Sequence, residues 1–347
     1  MAGVQKVLYK VDGVSKVYGR NYILNDVSFS INQGELFGII GSSGSGKTTF
    51  LNLLVGFVKP DRGDIKIRDI YSDKVDVFHS VNKYQSQLKK IYGFASQSPS
   101  FYPNLTVIEN LRYFGSLYNL SSKVIEANAQ NLLTLVGLTQ AQHTLGKKLS
   151  GGMKRRLDIV CSLIHDPQIL ILDEPTSDLD PVLSNKIWNL LRVINQAGTT
   201  VIIASHELSN LENVCHRIAI IKDGKIAAIG KPGEIKSANA LNEEIHLKSA
   251  PGNYKDIISS IKQLDINLTR LIRNYVIKDQ NLIISTRSPG EVTPQILKVI
   301  EGLGEHLTEI EFVKPSMDNL FEKISNETDV SRRKKSKRKQ RKRYKNK

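Results

Sequence analysis

Apolar and polar positions along this chain fall into short runs whose period changes from one region to the next. The opening runs "KVLYKVDGV" and "NYILNDVSFSI" alternate, and "ELFGIIG" follows a turn at Gly34, so residues 6–41 predict strands. "KTTFLNLLVGFV" then takes up helical spacing, "DIKI" and "KIYGFAS" predict further strands around a polar stretch at 70–88, and a helical pattern runs from about 98 to 165. "QILILDEP" and "TTVIIASHE" are apolar without alternation, with the helical "PVLSNKIWNLLRVINQAG" between them. Unbroken apolar runs joined by a helix predict parallel strands covered on both faces. "RIAIIKDGKIAAIG" predicts a hairpin turning at Asp223–Gly224. Beyond it the order strand ("EIHLKSA"), helix (253–264), two strands ("RLIRNYVIKD", "NLIISTR"), helix ("TPQILKVIEGLG") and strand ("TEIEFVK") suggests a small ferredoxin-like α+β domain. The expected organisation is an α/β domain over 1–240, an accessory α+β domain over 241–325 and a tail over 326–347.

Composition changes this picture at one place. The net charge is +15, but residues 331–347 alone hold twelve Lys or Arg and no acid. Without those twelve, 37 basic residues face 34 acidic ones, so the body of the chain is near neutral. A like-charged run of that kind cannot bury a core and is expected to be disordered. No stretch approaches the roughly 18–20 apolar residues of a membrane span, and the N-terminal residues lack a signal-peptide pattern. Cys161 and Cys215 lie in apolar segments without metal-ligand spacing, so a reduced compartment without zinc is expected.

The chemistry concentrates at strand ends. Gly41, Ser42, Ser43, Gly44, Ser45, Gly46, Lys47 and Thr48 match the GxxxxGK[ST] phosphate loop, between a strand and a helix as that loop requires, and Thr49 follows as a further nucleotide-binding candidate. Backbone N–H groups can converge on phosphate oxygens only where glycines let the chain fold tightly. Lys47 is the expected ligand of the β and γ phosphates, and Thr48 of Mg²⁺. Asp173 ends the run "ILIL" at the carboxyl end of a buried strand, where open α/β sheets bind ligands, and suits a Mg²⁺ site. Glu174 beside it is the candidate general base. His206, which ends the next apolar strand, is a catalytic candidate that can orient the γ-phosphate or the attacking water. In isolation the acid pair would read as solvated and His206 as a structural histidine. Gln97 is a weak candidate alone, as a sensor of γ-phosphate through Mg²⁺ and water.

A second glycine pair, "LSGG" at 149–152, opens a helix and presents free N–H groups to an anion. Taken alone it is a helix start capped by Ser150. Set in order, however, Tyr18, the phosphate loop, Gln97, "LSGG", "ILILDE", "SDLD" at 177–180 and His206 resemble the ATPase subunit of an ABC transporter over about residues 5–240. The resemblance implies an antiparallel β subdomain and a helical subdomain on a phosphate-loop core. It implies that Tyr18 stacks on adenine, and that Ser150, Gly151 and Gly152 close on the ATP of an opposite protomer. Asp180 then takes the family's aspartate position across the interface. "SPSFYPNLTVIENLRYFGSLYNL", Met153 with the basic residues after it, and "VKPSMDNLFEKIS" at 313–325 narrow the resemblance to the daunorubicin-resistance type, which pairs with separately encoded ABC-2 exporter membrane subunits.

Three features depart from the pattern. Met153 stands where many such ATPases have glutamine, which leaves the backbone donors intact and predicts little effect on hydrolysis. The stretch 70–88 is long, and Arg68 and Asp69 replace a glycine often found there, which puts loop geometry in question. The implied protein is an ATP hydrolase on the cytoplasmic face of a membrane, partnered by a second copy and a polytopic permease. The basic tail would suit anionic lipid. The rival is a soluble ABC-type ATPase that acts on ribosomes or nucleic acid through that tail, although such proteins usually carry two ATPase halves or a coiled-coil insertion, absent from this sequence.

Overall fold

The computed structural model describes residues 6–72, 76–238, 243–278 and 281–313. The expectations for the segment 314–325 and for the basic tail lie outside them. The chain divides into two compact units at Pro232/Gly233.

The first unit starts with β1 (Val7–Tyr18), β2 (Asn21–Asn32) and β3 (Leu36–Ile40), followed by α1 (Lys47–Leu54), β4 (Arg62–Arg68) and β5 (Phe78–Ser80). Next come α2 (Gln85–Ile91), β6 (Tyr92–Ala95), and the helices α3 (Val107–Leu117), α4 (Ser122–Val136) and α5 (Gly151–Leu163). The remainder is β7 (Ile169–Asp173), α6 (Pro181–Gln196), β8 (Thr200–Ser205), α7 (Leu208–Val214), β9 (Arg217–Lys222) and β10 (Lys225–Gly230), with α8 (Pro232–Ala238) at the division.

Two sheets result. The order β10-β9-β3-β8-β7-β6 forms the core sheet, parallel from β9 to β6. Every residue of β3, β7 and β8 is buried, as their unbroken apolar runs require. The order β2-β1-β4-β5 forms an antiparallel sheet. A continuous apolar cluster joins it through α1 to the core sheet, with the Phe29 ring 5.5 Å from that of Phe37 and 5.2 Å from that of Phe50. Asp223 and Gly224 turn the β9–β10 hairpin, both with positive φ (50° and 73°), the geometry of a tight two-residue turn.

The helices α3 to α5 begin at side-chain caps. Thr106 and Glu109 form a reciprocal capping box at α3, and Ser121 and Ser150 cap α4 and α5. Close approach needs glycine here: a Cβ at Gly93 in β6 would lie 2.0 Å from the Ser162 carbonyl oxygen of α5. The polar stretch at 70–88 contains β5 and the start of α2. Arg68 and Asp69 order it: Arg68 Nε donates to the Val7 carbonyl at 2.6 Å, and Asp69 accepts from the Tyr71 N–H at 3.0 Å and pairs with His79 at 3.1 Å.

The second unit has β11 (Glu243–Ala250), α9 (Tyr254–Lys262), α10 (Ile266–Leu271), β12 (Ile272–Lys278), β13 (Asn281–Thr286), α11 (Pro289–Gly302) and β14 (His306–Val313). Its antiparallel sheet runs β12-β13-β11-β14, the ferredoxin-like arrangement. Alternate strand residues Ile245, Leu247, Leu282 and Ile284 join Ile257 and Ile261 of α9 and Val292, Ile296 and Ile300 of α11 in one core. The chain is still helical at Arg270 and Leu271, where the sequence pattern predicts strand.

Among the described residues no helix is long and apolar enough to cross a membrane.

Candidate active site

Three strand ends on the carboxyl edge of the core sheet bring the candidate residues together. The loop from β3 to α1 packs too tightly for a side chain at Gly41 or Gly46, while Gly44 stands in open space with a φ of 77°. A Cβ at Gly41 would lie 2.2 Å from Ser45 Oγ and 2.7 Å from the Ile221 carbonyl oxygen, and Gly46 has a φ of 104°. Lys47, buried at the start of α1, donates to the carbonyls of Gly41 at 2.8 Å and Ser42 at 3.3 Å.

β7 and β8 supply the acids and the histidine. Thr48 Oγ1 donates to Asp173 Oδ2 at 2.7 Å. Glu174 Oε1 pairs with Lys47 Nζ at 3.3 Å, and Glu174 Oε2 meets His206 Nδ1 at 2.8 Å and the His206 N–H at 3.3 Å. Burial raises the Asp173 carboxyl above its ordinary range, and the hydrogen bond from Thr48 partly offsets this. Glu174 has a φ of 49°, a left-handed conformation uncommon outside glycine and asparagine, and its N–H donates to the Ala204 carbonyl at 2.8 Å.

The site is suited to a phosphate-bound divalent cation. Asp173 Oδ1 and Ser45 Oγ are buried and have no hydrogen-bond partner among the described residues, an arrangement natural proteins seldom leave uncompensated. Asp173 and Thr48 present hard oxygen donors of the kind magnesium takes.

No hydrogen bond joins this cluster to Tyr18, Gln97, Ser150, Gly151, Gly152 or Asp180 among the described residues. Tyr18 ends β1 with half its surface exposed, and Gln97 is exposed on the segment after β6. Ser150 Oγ accepts the Met153 N–H at 3.4 Å, and Gly151 is exposed. Gly152 is buried, and a Cβ there would meet the terminal methyls of Leu183 at 2.9 and 3.1 Å. Asp180 caps α6 by accepting the N–H groups of Val182 and Leu183, both at 2.9 Å. The sequence reading missed Arg155, whose guanidinium donates to the Asp173 carbonyl at 2.9 Å. A charge three positions before Asp158, where α5 turns apolar, was the available signal.

A phosphate loop, a strand-end acid pair and a third strand-end histidine on a doubly covered parallel sheet define a phosphate-loop nucleotide hydrolase with an antiparallel and a helical appendage. The ABC transporter family profile matches residues 24–177. The chain is 30% identical over 325 residues to the linearmycin resistance ATP-binding protein of Bacillus subtilis, covering 92% of this chain and 99% of that one. It is 37% identical over 220 residues to the Nod factor export ATP-binding protein I of Bradyrhizobium diazoefficiens, covering 63% of this chain and 69% of that one. Among solved structures, a dimeric ATP-binding cassette in a post-hydrolysis state bound to ADP and Pi matches with a TM-score of 0.56 at 29% identity, over 65% of this chain and 99% of that one. The ATP-binding subunit of an ABC transporter matches with a TM-score of 0.59 at 26% identity, over 67% and 93%. The chain belongs to the ATP-binding subunits of ABC transporters, and within them to the ABC-2 exporter type; it is an ABC-type ATPase.

Proposed function

We propose that this subunit binds Mg-ATP at Lys47, Thr48 and Asp173, hydrolyses it with Glu174 as general base, and drives a separately encoded polytopic membrane subunit by ATP-dependent pairing with a second copy. The observation that carries the reading is the convergence of Lys47, Thr48, Asp173, Glu174 and His206 from three strand ends, with contacts of 2.7 to 3.3 Å. In it the backbone N–H groups of Gly41 to Thr49 and Lys47 hold the phosphates of ATP, and Tyr18 stacks on adenine. Thr48 and Asp173 would hold Mg²⁺, with Gln97 reaching it through water, and the ion supplies positive charge to the β and γ phosphates. Glu174 takes the proton of the attacking water, and His206, bonded to the same carboxylate, fixes that carboxylate's orientation.

The second glycine motif has no role in that cluster, and this favours pairing. α5 begins at Ser150 and Gly151, both exposed, with Gly152 buried just behind them, a helix start suited to the terminal phosphate of ATP held by another copy. Asp180, exposed at the start of α6, is assigned to the same interface. The subunit then sits at the cytoplasmic face of the membrane, and residues 331–347, with twelve cations, lie against anionic lipid at about 1 kcal/mol each.

The partner is tested by purifying Glu174→Gln, tagged at the N-terminus, from gently solubilised native membranes in Mg-ATP. A stoichiometric polytopic membrane protein is expected. Recovery of ribosomal proteins or nucleic acid, lost on deleting 331–347, would replace the transporter reading with one centred on the tail.

A further inference from the structure

The most heavily bonded charged group outside the catalytic cluster is Arg155, on the second turn of α5. Its guanidinium is almost wholly buried and donates in three directions. Nε reaches the Pro175 carbonyl at 2.9 Å, Nη2 the Asp173 carbonyl at 2.9 Å, and Nη1 the Ser96 carbonyl at 2.7 Å. Nη1 also meets Asp158 Oδ2 at 3.3 Å, one turn further along the helix. Asp158 is fully buried, and its other oxygen accepts the N–H and the hydroxyl of Ser100, both at 2.7 Å.

Three consequences follow from what these contacts join. The carbonyls of Asp173 and Pro175 flank Glu174, so the guanidinium brackets the one acid of the site whose backbone lies in the left-handed region. A strained residue keeps such a conformation only where its surroundings over-determine it, and this fork is one of those constraints. Ser96 and Ser100 flank the segment that carries Gln97. The bonds start from the helix whose first residues are Ser150, Gly151 and Gly152. A buried pair of this kind contributes little net stability, because desolvation offsets the attraction; what it fixes is geometry. Lysine could not do the same, since only the planar guanidinium fork reaches divergent carbonyls from one group.

We propose that Arg155, seated by Asp158, is a positioning residue that sets Glu174 by reference to α5 and to the Gln97 segment, so that one protomer's two half-sites act as a rigid unit. The proposal rests on the composite-site reading above. In it, α5 serves the ATP of the second copy while Glu174 serves the ATP of its own. Docking of Ser150, Gly151 and Gly152 against a second copy is therefore felt at Glu174 through a single side chain. Burial keeps the Asp158 carboxyl above its ordinary range despite the two donors of Ser100.

The test uses the full chain with Arg155→Lys, Ser100→Ala and Arg156→Lys. Ser100→Ala removes one donor to Asp158 without leaving a buried charge unpaired. Arg156→Lys changes the adjacent arginine, whose bonds stay with the carbonyls of Gly152 and Val136. Thermal unfolding, affinity for a fluorescent ATP analogue with Mg²⁺, and kcat and KM for ATP are measured for each. Arg155→Lys is expected to keep its affinity within about threefold while kcat falls about tenfold or more, the cost of a base displaced by a fraction of an ångström. Ser100→Ala should lower kcat about two- to fivefold with KM unchanged, and Arg156→Lys should stay within about twofold of wild type. A wild-type kcat in folded Arg155→Lys overturns the proposal. So does a loss of kcat that only tracks a loss of thermal stability, with Ser100→Ala silent. If Arg155→Lys does not fold, Ser100→Ala decides. Glu174→Gln with Arg155 intact is the control for the underlying reading: if it binds ATP and dimerises while the Arg155 series is silent, the strut alone fails. If it does neither, the composite-site reading fails first.

Discussion

Replacing Thr48 with valine removes one hydroxyl and keeps the shape of the side chain. That hydroxyl is the only hydrogen-bond donor to the Asp173 carboxylate among the described residues, at 2.7 Å, and the other carboxylate oxygen already has no partner. A hydrogen bond to a charged group contributes about 1.5 to 3 kcal/mol, and Thr48 is exposed while Asp173 is buried, so solvent screening brings this one to the bottom of that range or just below it. Without nucleotide, Thr48→Val should therefore lose about 1 to 2 kcal/mol of stability at neutral pH. The loss has a pH signature. Burial already raises the Asp173 carboxyl, and losing its donor raises it further. A folded-state value above the unfolded one means that the native chain holds the proton more tightly, so this group destabilises the fold as pH rises through that window. The deficit of Thr48→Val against wild type should shrink as pH falls toward the ordinary carboxyl range. With nucleotide the same change removes one of the two side chains proposed to hold the cation. Affinity for ATP in Mg²⁺ should fall roughly tenfold, by the same 1 to 2 kcal/mol, while affinity in EDTA stays level. Urea unfolding at two pH values and titration with a fluorescent ATP analogue, with and without Mg²⁺, read both effects. A variant that keeps wild-type Mg²⁺ dependence would refute the assignment of Thr48 and Asp173 to the cation.

Two further outcomes follow from close contacts. Gly41→Ala places a Cβ 2.7 Å from the backbone oxygen of Ile221, which cannot swing away as the Ser45 hydroxyl can. Overpacking of this kind costs about 1 to 3 kcal/mol, so ATP affinity should fall about five- to 150-fold; unchanged binding would show that the loop does not hold phosphate in this geometry. His165 is stacked on Tyr118 with ring centroids 3.6 Å apart, and burial pushes it down to about 4. A histidine lowered in this way stabilises the fold fully above its ordinary range and less as pH falls through it, so about 2 kcal/mol should be lost between pH 7.5 and pH 5. Between pH 7.5 and pH 5 the urea midpoint of wild type should fall by more than that of His165→Leu, and parallel curves would remove His165 from the acid limb.

Much of the fold is written in local pattern, and what escaped is non-local or too short to have a pattern. β7 and β8 were legible because a strand covered on both faces carries an unbroken apolar run, and β11 of the second unit because Ile245 and Leu247 alternate with polar neighbours. α2 buries only Leu88 and Ile91, and α10 is six residues long, so neither offers a helical period. α11 begins at Pro289, before the predicted "TPQILKVIEGLG", because proline suits a first helical turn while Pro294 inside it masks the pattern. In the site, spacing locates the phosphate loop and strand-end position locates Asp173 and Glu174. The left-handed backbone of Glu174 and the reach of Arg155 to carbonyls eighteen and twenty residues on are set by tertiary packing, which no local motif encodes.

The central claim is a catalytic site completed by a second copy, and the mass of Glu174→Gln in solution tests it most directly. Light scattering on a size-exclusion column, with saturating Mg-ATP and then with Mg-ADP, should give twice the 38.8 kDa of one chain in ATP and the single-chain mass in ADP. A single-chain mass in both, with ATP binding confirmed in the same sample, would contradict the account.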